Sequence, residues 1–383
     1  MNRKALTSIF LVIFIDLLGF GILIPILPYY AKSYGASATV LGFLMMSYSA
    51  MQFLFSPLWG KLSDKFGRRP ILLTTILGIA ISMLFLGLAK TLAGLFLSRL
   101  LAGFFGANIA TASAYIADNT PPSSRAKGMG MIGAAFGLGF LFGPAIGGFL
   151  SQWGYALPAF VASGLAFFNF FFTFAILKEP PLSESVRFDH RHSVDRQHFL
   201  KILANKKTFQ PILLFFLVTL AMAQLETTFA LFVLDRFHLQ ATSAGYLLAA
   251  MAIVMVLIQG GGIGRLARIL GETKLVIIGS FVAGVALISA GYAFDLSIFT
   301  TSLIIYAVGY AIVNPSLLSL VSQGADPRQQ GVTMGVYQSA GSLARIAGPI
   351  FAGLLFDRLG IHYPLLVASG FFGLTFLIAI TRL

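Results

Sequence analysis

Apolar runs of about twenty residues recur along the whole chain, separated by short polar or turn-rich interruptions. About that many residues cross ~30 Å of hydrocarbon as a helix. The pattern predicts twelve membrane spans, at roughly 6–30, 38–60, 71–89, 92–116, 127–151, 156–177, 209–234, 243–263, 275–293, 297–321, 331–356 and 362–381. Turn signals punctuate them: Ser33 to Gly35, Pro121-Pro122, Gly271 and Asp326-Pro327. One polar stretch, about 178–208, is long enough to be a linker.

Composition agrees. The chain is 57% hydrophobic and 10% charged, where a soluble domain carries about 25% charged residues. This excludes a soluble globule and implies an all-α polytopic membrane protein. The first apolar run is too long for the core of a cleaved signal peptide and lacks a small-residue cleavage site, so it reads as the first span.

A net charge of +13 raises nucleic acid as a partner, but the positions of the bases argue otherwise. Arg3, Lys4, Lys61, Lys65, Arg68, Arg69, Arg125, Lys127, Arg265, Arg268, Lys274, Arg328 and Arg382 fall on one side of the spans, with seven more bases in the linker. The opposite loops hold Lys32, Lys90, Arg236 and Arg358. This bias orients both termini and the linker toward the cytoplasm, in a bacterial inner membrane. The expected partners at this point are membrane lipids, with no nucleic acid and a monomeric chain.

No cysteine is present, which excludes disulfides and cysteine-held metals. In the linker, His190, His192 and His198 read as part of a solvated stretch rather than a metal site. Phe199 to Lys207 reads as a short amphipathic helix on the membrane surface.

The chain is written twice. Gly60 returns as Gly264, 204 residues on. Pro122 and Pro327, Met129 and Met334, Gly130 and Gly335, and Gly143-Pro144 and Gly348-Pro349 pair at 205, Asn108 and Asn314 at 206. The expected organisation is a six-helix bundle over 1–177, a linker over 178–208, and a second bundle over 209–383. Parallel six-helix halves are one transporter architecture, with the substrate site between them at mid-membrane.

Four stretches carry a resemblance. "GKLSDKFGRRP" (60–70), with Gly60, Asp64, Gly67, Arg68 and Arg69, resembles the loop between spans 2 and 3 of the major facilitator superfamily. "SRLLAGFFGAN", with Arg99 and Gly103, resembles its basic motif in span 4. "GLGFLFGPAIGG", with Gly139, Gly143, Pro144, Gly147 and Gly148, resembles the antiporter motif of span 5. "FIDLLGFGILIPILPYY", with Asp16, Gly19, Gly21, Pro25 and Pro28, is similar to the twelve-helix drug:proton antiporter branch, tetracycline exporters included.

The resemblance implies two halves related by a pseudo-two-fold axis. It also makes the 60–70 loop a gating latch, with Asp64 against the N-terminus of span 11 near Gln330 and Gly331, and Arg68 and Arg69 holding the carboxylate. A carboxylate at a helix N-terminus gains about 0.3–1 kcal/mol, weak enough to release in every cycle. In the second copy Arg268 stands in the place of Asp64 and Glu272 in that of Arg68, so no latch role is expected there. Gly139, Gly143 and Gly147 share a helix face and predict a close seam with a helix of the other half, Gly348 and Pro349 being the repeat. The Phe-rich 167–172 stretch reads as lipid-facing.

Four ionisable residues interrupt the spans: Asp16, Arg99, Glu226 and Arg345. Each costs about 2.5–3.5 kcal/mol at a span centre and defaults to function. Glu226 and Arg345 fall at similar depths, while Asp16 and Arg99 differ by roughly 9 Å at ~1.5 Å per residue. They form the expected proton-coupling set, the alternative being structural ion pairs. Asn108, Gln224 and Asn314 join Asp16 and Glu226 as expected substrate contacts, with Thr227 and Thr228 beside Glu226 as toward a wet cavity.

The reading is a secondary active transporter exporting lipophilic or amphipathic molecules against protons, with antibiotic efflux as its consequence. It needs no cofactor beyond the proton. A lipid or metabolite exporter on the same scaffold is the alternative. A membrane-embedded enzyme is disfavoured, since there is no HExxH motif, no cysteine and no histidine at a span centre.

Overall fold

The computed structural model describes residues 3–106, 108–120, 125–179, 202, 204–325 and 330–382. Among these there is no strand, and twelve helices are long and apolar enough to cross a membrane. They are α1 (Leu6–Ser33), α2 (Ala38–Phe66), α3 (Arg68–Leu88), α4 (Leu92–Ile116), α5 (Gly130–Trp153), α6 (Ala156–Ile176), α7 (Lys206–Phe237), α8 (Ala241–Leu270), α9 (Glu272–Gly291), α10 (Leu296–Gly324), α11 (Val332–Leu359) and α12 (Tyr363–Arg382). This is an integral membrane protein.

The expected spans are all present, but the charged stretch at 60–70 is hardly a loop. α2 stays helical through Phe66, carrying Lys61, Asp64 and Lys65 on its last turns, and α3 begins at Arg68. Gly67 alone makes the turn, at φ 101°, a conformation that favours glycine. Its repeat, Gly271, separates α8 from α9 at φ 78°. Charged residues at a helix end keep their heads in water while the backbone continues, so charge density does not mark the end of a helix.

α7 likewise begins earlier than expected. Lys206 and Lys207 form its first turn, with the Asn205 side chain accepting from the Lys207 N–H at 3.0 Å. The rest of the expected surface helix, apart from Ile202 and Ala204, lies outside the described residues. So do His190, His192, His198, Pro121-Pro122, Asp326, Pro327 and Arg328.

Three helices are interrupted. α1 turns at 24–26, around Pro25. α4 breaks at Gly106 and is helical again over Asn108–Asn119. α8 passes through a π-helical turn, Ile258–Gly262, that contains three glycines; such turns mark local departures from regular helix.

Contacts divide the chain into two compact units. One holds Met1–Ala36, Ser47–Asp189 and Leu239–Ala249; the other holds Ser37–Met46, His190–His238 and Ala250–Leu383. α2 and α8 each contribute residues to both units. The neighbour map is repeated. In the first unit α1 packs on α5 and α6, and α3 on α4 and α6; in the second α7 packs on α11 and α12, and α9 on α10 and α12. The sequence duplication is thus visible as a duplicated pattern of helix contacts.

The first unit's core gathers Ile9, Val12, Ile13, Leu17, Leu72, Ile76, Tyr115, Ile116 and Ala135. Apolar side chains also cover the outside, Leu54, Phe171 and Leu257 among the most exposed, as lipid contact requires. Of the Phe-rich stretch, Phe168 and Phe171 face outward, but Phe170 and Phe172 pack on the core. Asn169 between them is buried and donates to the Val12 carbonyl at 2.9 Å, so that stretch is only partly lipid surface.

Candidate functional site

Where α4 breaks, its last carbonyls lose their helical donors, and α2 supplies replacements. Trp59 Nε1 donates to the Phe104 carbonyl and Gln52 Nε2 to that of Gly106, both at 2.6 Å. α2 comes this close because Gly103 has no side chain. A Cβ there would lie 2.8 Å from Met51 Cβ and closer still to the Tyr48 carbonyl.

Asn108, in the resumed helix, is only 6% exposed. Its Nδ2 donates to Asp16 Oδ1 at 3.0 Å. The two line a small cleft with Val12, Ile13, Leu72, Ile109 and Ala112. The Asn108 Oδ1 has no hydrogen-bond partner among the described residues.

The partner of Asp16 is therefore an amide. Arg99 is placed elsewhere, its guanidinium 4.4 Å from the centre of the Tyr48 ring. That agrees with the depth mismatch between positions 16 and 99. A desolvated guanidinium over a tyrosine ring is held by the ring quadrupole.

In the second unit, Glu226 from α7 and Arg345 from α11 are both half-buried. Both act electrostatically on one phenol, Tyr310 of α10. Tyr306, one turn earlier, also feels Glu226 and donates to Met222 Sδ at 3.1 Å. Tyr337 feels Arg345 and stacks on Phe215 with centroids 3.8 Å apart. These tyrosines were missed because aromatic residues at helical spacing read as core. Their one signal is the i, i+4 pairing of Tyr306 with Tyr310 on the helix that carries Asn314.

The polar company expected around Glu226 is mostly turned away. Thr227 Oγ1 donates to the Ala223 carbonyl and Thr228 Oγ1 to that of Gln224, at 2.7 and 2.9 Å. Gln224 is fully buried, with neither side-chain polar atom hydrogen-bonded among the described residues. Two residues along a helix point to nearly opposite sides, so Gln224 and Glu226 do not share a face. Asn314 is half-buried, one turn beyond Tyr310.

Around the 60–70 motif, Arg68 is the hub. It pairs with Asp64, donates from Nη1 to Ser63 Oγ at 2.7 Å, and donates from Nε to Asp118 Oδ2 at 2.8 Å. It thus ties the end of α2 to the helix extending α4. Arg69 does not hold Asp64; its Nη2 donates to the Phe174 carbonyl at 2.6 Å. The Glu179 carboxylate closes the start of α3 by accepting from the N–H groups of Arg68 and Arg69, at 2.6 and 2.9 Å. Gly60 borders open space rather than a neighbouring backbone.

The second copy keeps this frame with the charge changed. Glu272, in the place of Arg68, accepts from Ser319 Oγ and Gln323 Nε2, each at 3.0 Å. Gln323 stands 205 residues after Asp118. Arg268 donates to the Gly264 carbonyl of its own helix, at 3.2 Å.

The glycine face of α5 forms a seam with α1, the expected other half being corrected. A Cβ at Gly139 would meet Leu17, at Gly143 would lie 2.6 Å from Gly21 Cα, and at Gly147 would collide with the Ile22 carbonyl. Gly21 offers α5 the same bare surface. Gly148, one residue round the helix, faces Thr242 and Gly245 of α8, while Gly245 packs on the Pro144 carbonyl. The repeat holds in the second unit: Gly348 packs on Ala223 of α7, and Gly42 of α2 on the Pro349 carbonyl.

Known proteins carry the same pattern. The family model described as Major Facilitator Superfamily matches residues 9–349. The chain is similar to Multidrug resistance protein 2 of Bacillus subtilis (strain 168), 31% identical over 93% of this chain and 90% of that one. It is 32% identical to Tetracycline resistance protein, class D, of Salmonella ordonez, over 94% of this chain and 91% of that one. The crystal structure of the human organic anion transporter MFSD10 (TETRAN) superposes with a TM-score of 0.73 at 27% identity, covering 98% of this chain and 99% of the other. The chain is a transporter and belongs to the major facilitator superfamily.

Proposed function

We propose that this transporter exports lipophilic or amphipathic small molecules, drugs among them, in exchange for protons by alternating access. Its relatives named for multidrug and tetracycline resistance support the substrate class. The observation that carries the proton is Asp16 held by Asn108. An amide serves both protonation states: its NH2 donates to a carboxylate, and its unpartnered oxygen accepts from a carboxylic acid. Turned about its last side-chain bond, the same amide can partner Asp16 both before and after it takes a proton. Glu226, sharing Tyr310 with Arg345, is the second carboxyl of the pathway. The positive-inside bias supports a cytoplasmic membrane with both termini inside.

A second substrate reading has its own support. Two guanidines inside the spans, Arg99 and Arg345, suit an organic anion, and a human relative is described as an organic anion transporter. Uptake into proteoliposomes, with tetracycline, a quaternary cation and an organic anion offered in competition under a pH gradient, tests both. Transport indifferent to the gradient would defeat the proton reading, and anion-only transport would replace the first substrate class with the second.

A further inference from the structure

α2 begins about forty ångströms along its axis from Asp64, at ~1.5 Å per residue, and its first turn is closed from far away in sequence. Asp357 of α11 accepts from the Ala38 N–H at 3.1 Å and from the Thr39 N–H at 2.8 Å. Ser37 Oγ takes the Val40 N–H at 3.3 Å, and the Leu41 N–H reaches the Ser37 carbonyl at 3.0 Å. All four donors of that turn are accounted for, two of them by Asp357.

Beneath this cap the backbones are in contact. Gly353 packs on Ala38 and Thr39, and a Cβ on Gly42 would lie 2.9 Å from the Pro349 carbonyl carbon. The first residues of α2 belong with α11, whereas Ser47 and the rest of α2 belong with the other compact unit. α2 is one continuous helix of 29 residues. Motion of its main body therefore has to be taken up where its first turns meet α11. Bare glycine surfaces offer little steric resistance to such parting, so the charged cap is what resists it.

The repeated seam, α8 on α5, lacks that charge. It has the same glycines, Gly148 and Gly245, but its polar contact is Ser151 with Thr242 at 3.4 Å. Gln152 stands where the repeat has Asp357, 205 residues earlier.

We infer that Asp357 is a releasable fastener of the transport cycle, holding the first turn of α2 to α11 in one state and letting go when the two part. It does at this end of α2 what a helix-dipole latch does, with the acid on α11 and the helix N-terminus on α2. The inference rests on the alternating-access reading, but its test needs neither substrate nor proton gradient.

The chain has no cysteine, so spin labels on Phe43→Cys, exposed near the start of α2, and Leu359→Cys, exposed at the end of α11, report the separation of those two helices at that end. In Asp357→Asn the population at longer distance should rise about twofold to thirtyfold, the range for a carboxylate lost from a helix N-terminus. Asp357→Glu should fall between Asn and wild type, with the melting temperature of the Asn variant nearly kept. A lowered melting temperature with unchanged distances would make Asp357 an ordinary helix cap and overturn the proposal. Unchanged distances and unchanged stability would overturn it equally.

Discussion

Asn108, just past the break in α4, donates to Asp16 at 3.0 Å. On the near side of the break the Phe104 and Gly106 carbonyls are taken by Trp59 and Gln52. The protein thus has a polar pair in an apolar cleft whose local backbone is satisfied by a neighbouring helix.

Asn108→Leu keeps bulk and removes the donor. Losing a hydrogen bond to a charged group costs about 1.5–3 kcal/mol. The expected result is a folded protein whose transport has a displaced pH profile, read by initial rates between about pH 5 and 9. An unaltered profile would mean that Asn108 only packs.

The supports of the break can be removed separately. Gln52→Leu leaves the Gly106 carbonyl buried without its donor, which costs about 1–3 kcal/mol. The melting temperature should drop, and at permissive temperature substrate affinity should change little. Gln52→Glu should be no better, because it also removes the donor.

Arg68 and Glu272 occupy matching places with opposite charge. Arg68→Lys loses the planar fork that spans Asp64 and Asp118, so transport should fall several-fold with expression intact. Asp118→Asn should reproduce much of that loss, and Asp64→Asn should also slow turnover. Arg268→Ala, which removes a bond within its own helix, should leave rates near wild type.

The two faces of α5 should respond differently to bulk. Gly143→Leu forces α5 off α1 inside one packed unit, and overpacking of this kind costs about 1–3 kcal/mol. It should lower the melting temperature outright. Gly148→Leu meets α8 instead, and should alter cysteine accessibility along α8 with a smaller loss of stability. Equal effects on stability would refute the distinction.

The twelve spans were legible because ~20-residue apolar runs are the strongest signal a membrane chain carries, and the repeat because motif glycines and prolines recur at one offset. The glycine face of α5 announced a close approach without naming the neighbour, since any helix can fill a bare surface; α1 fills it. Asp16 and Glu226 were legible as costly charges. Asn108 was legible only as a polar candidate, because its bond to Asp16 joins residues 92 positions apart and depends on how α1 and α4 pack. Tyr310 resembled core until Glu226 and Arg345 were found on either side of its chemistry. Asp357 carried no reading of its own, because one acid beside Arg358 at a helix end does not show which distant helix start it closes.

The central claim is that outward transport is driven by protons through Asp16. The direct measurement is uphill accumulation of a quaternary cation in proteoliposomes, which cannot follow a pH gradient by its own titration. Wild type should concentrate it only when the gradient is imposed. Asp16→Asn should abolish accumulation while keeping exchange at equal concentrations, and Glu226→Gln should weaken it. An Asp16→Asn protein that still concentrates the cation with wild-type pH dependence would contradict the account.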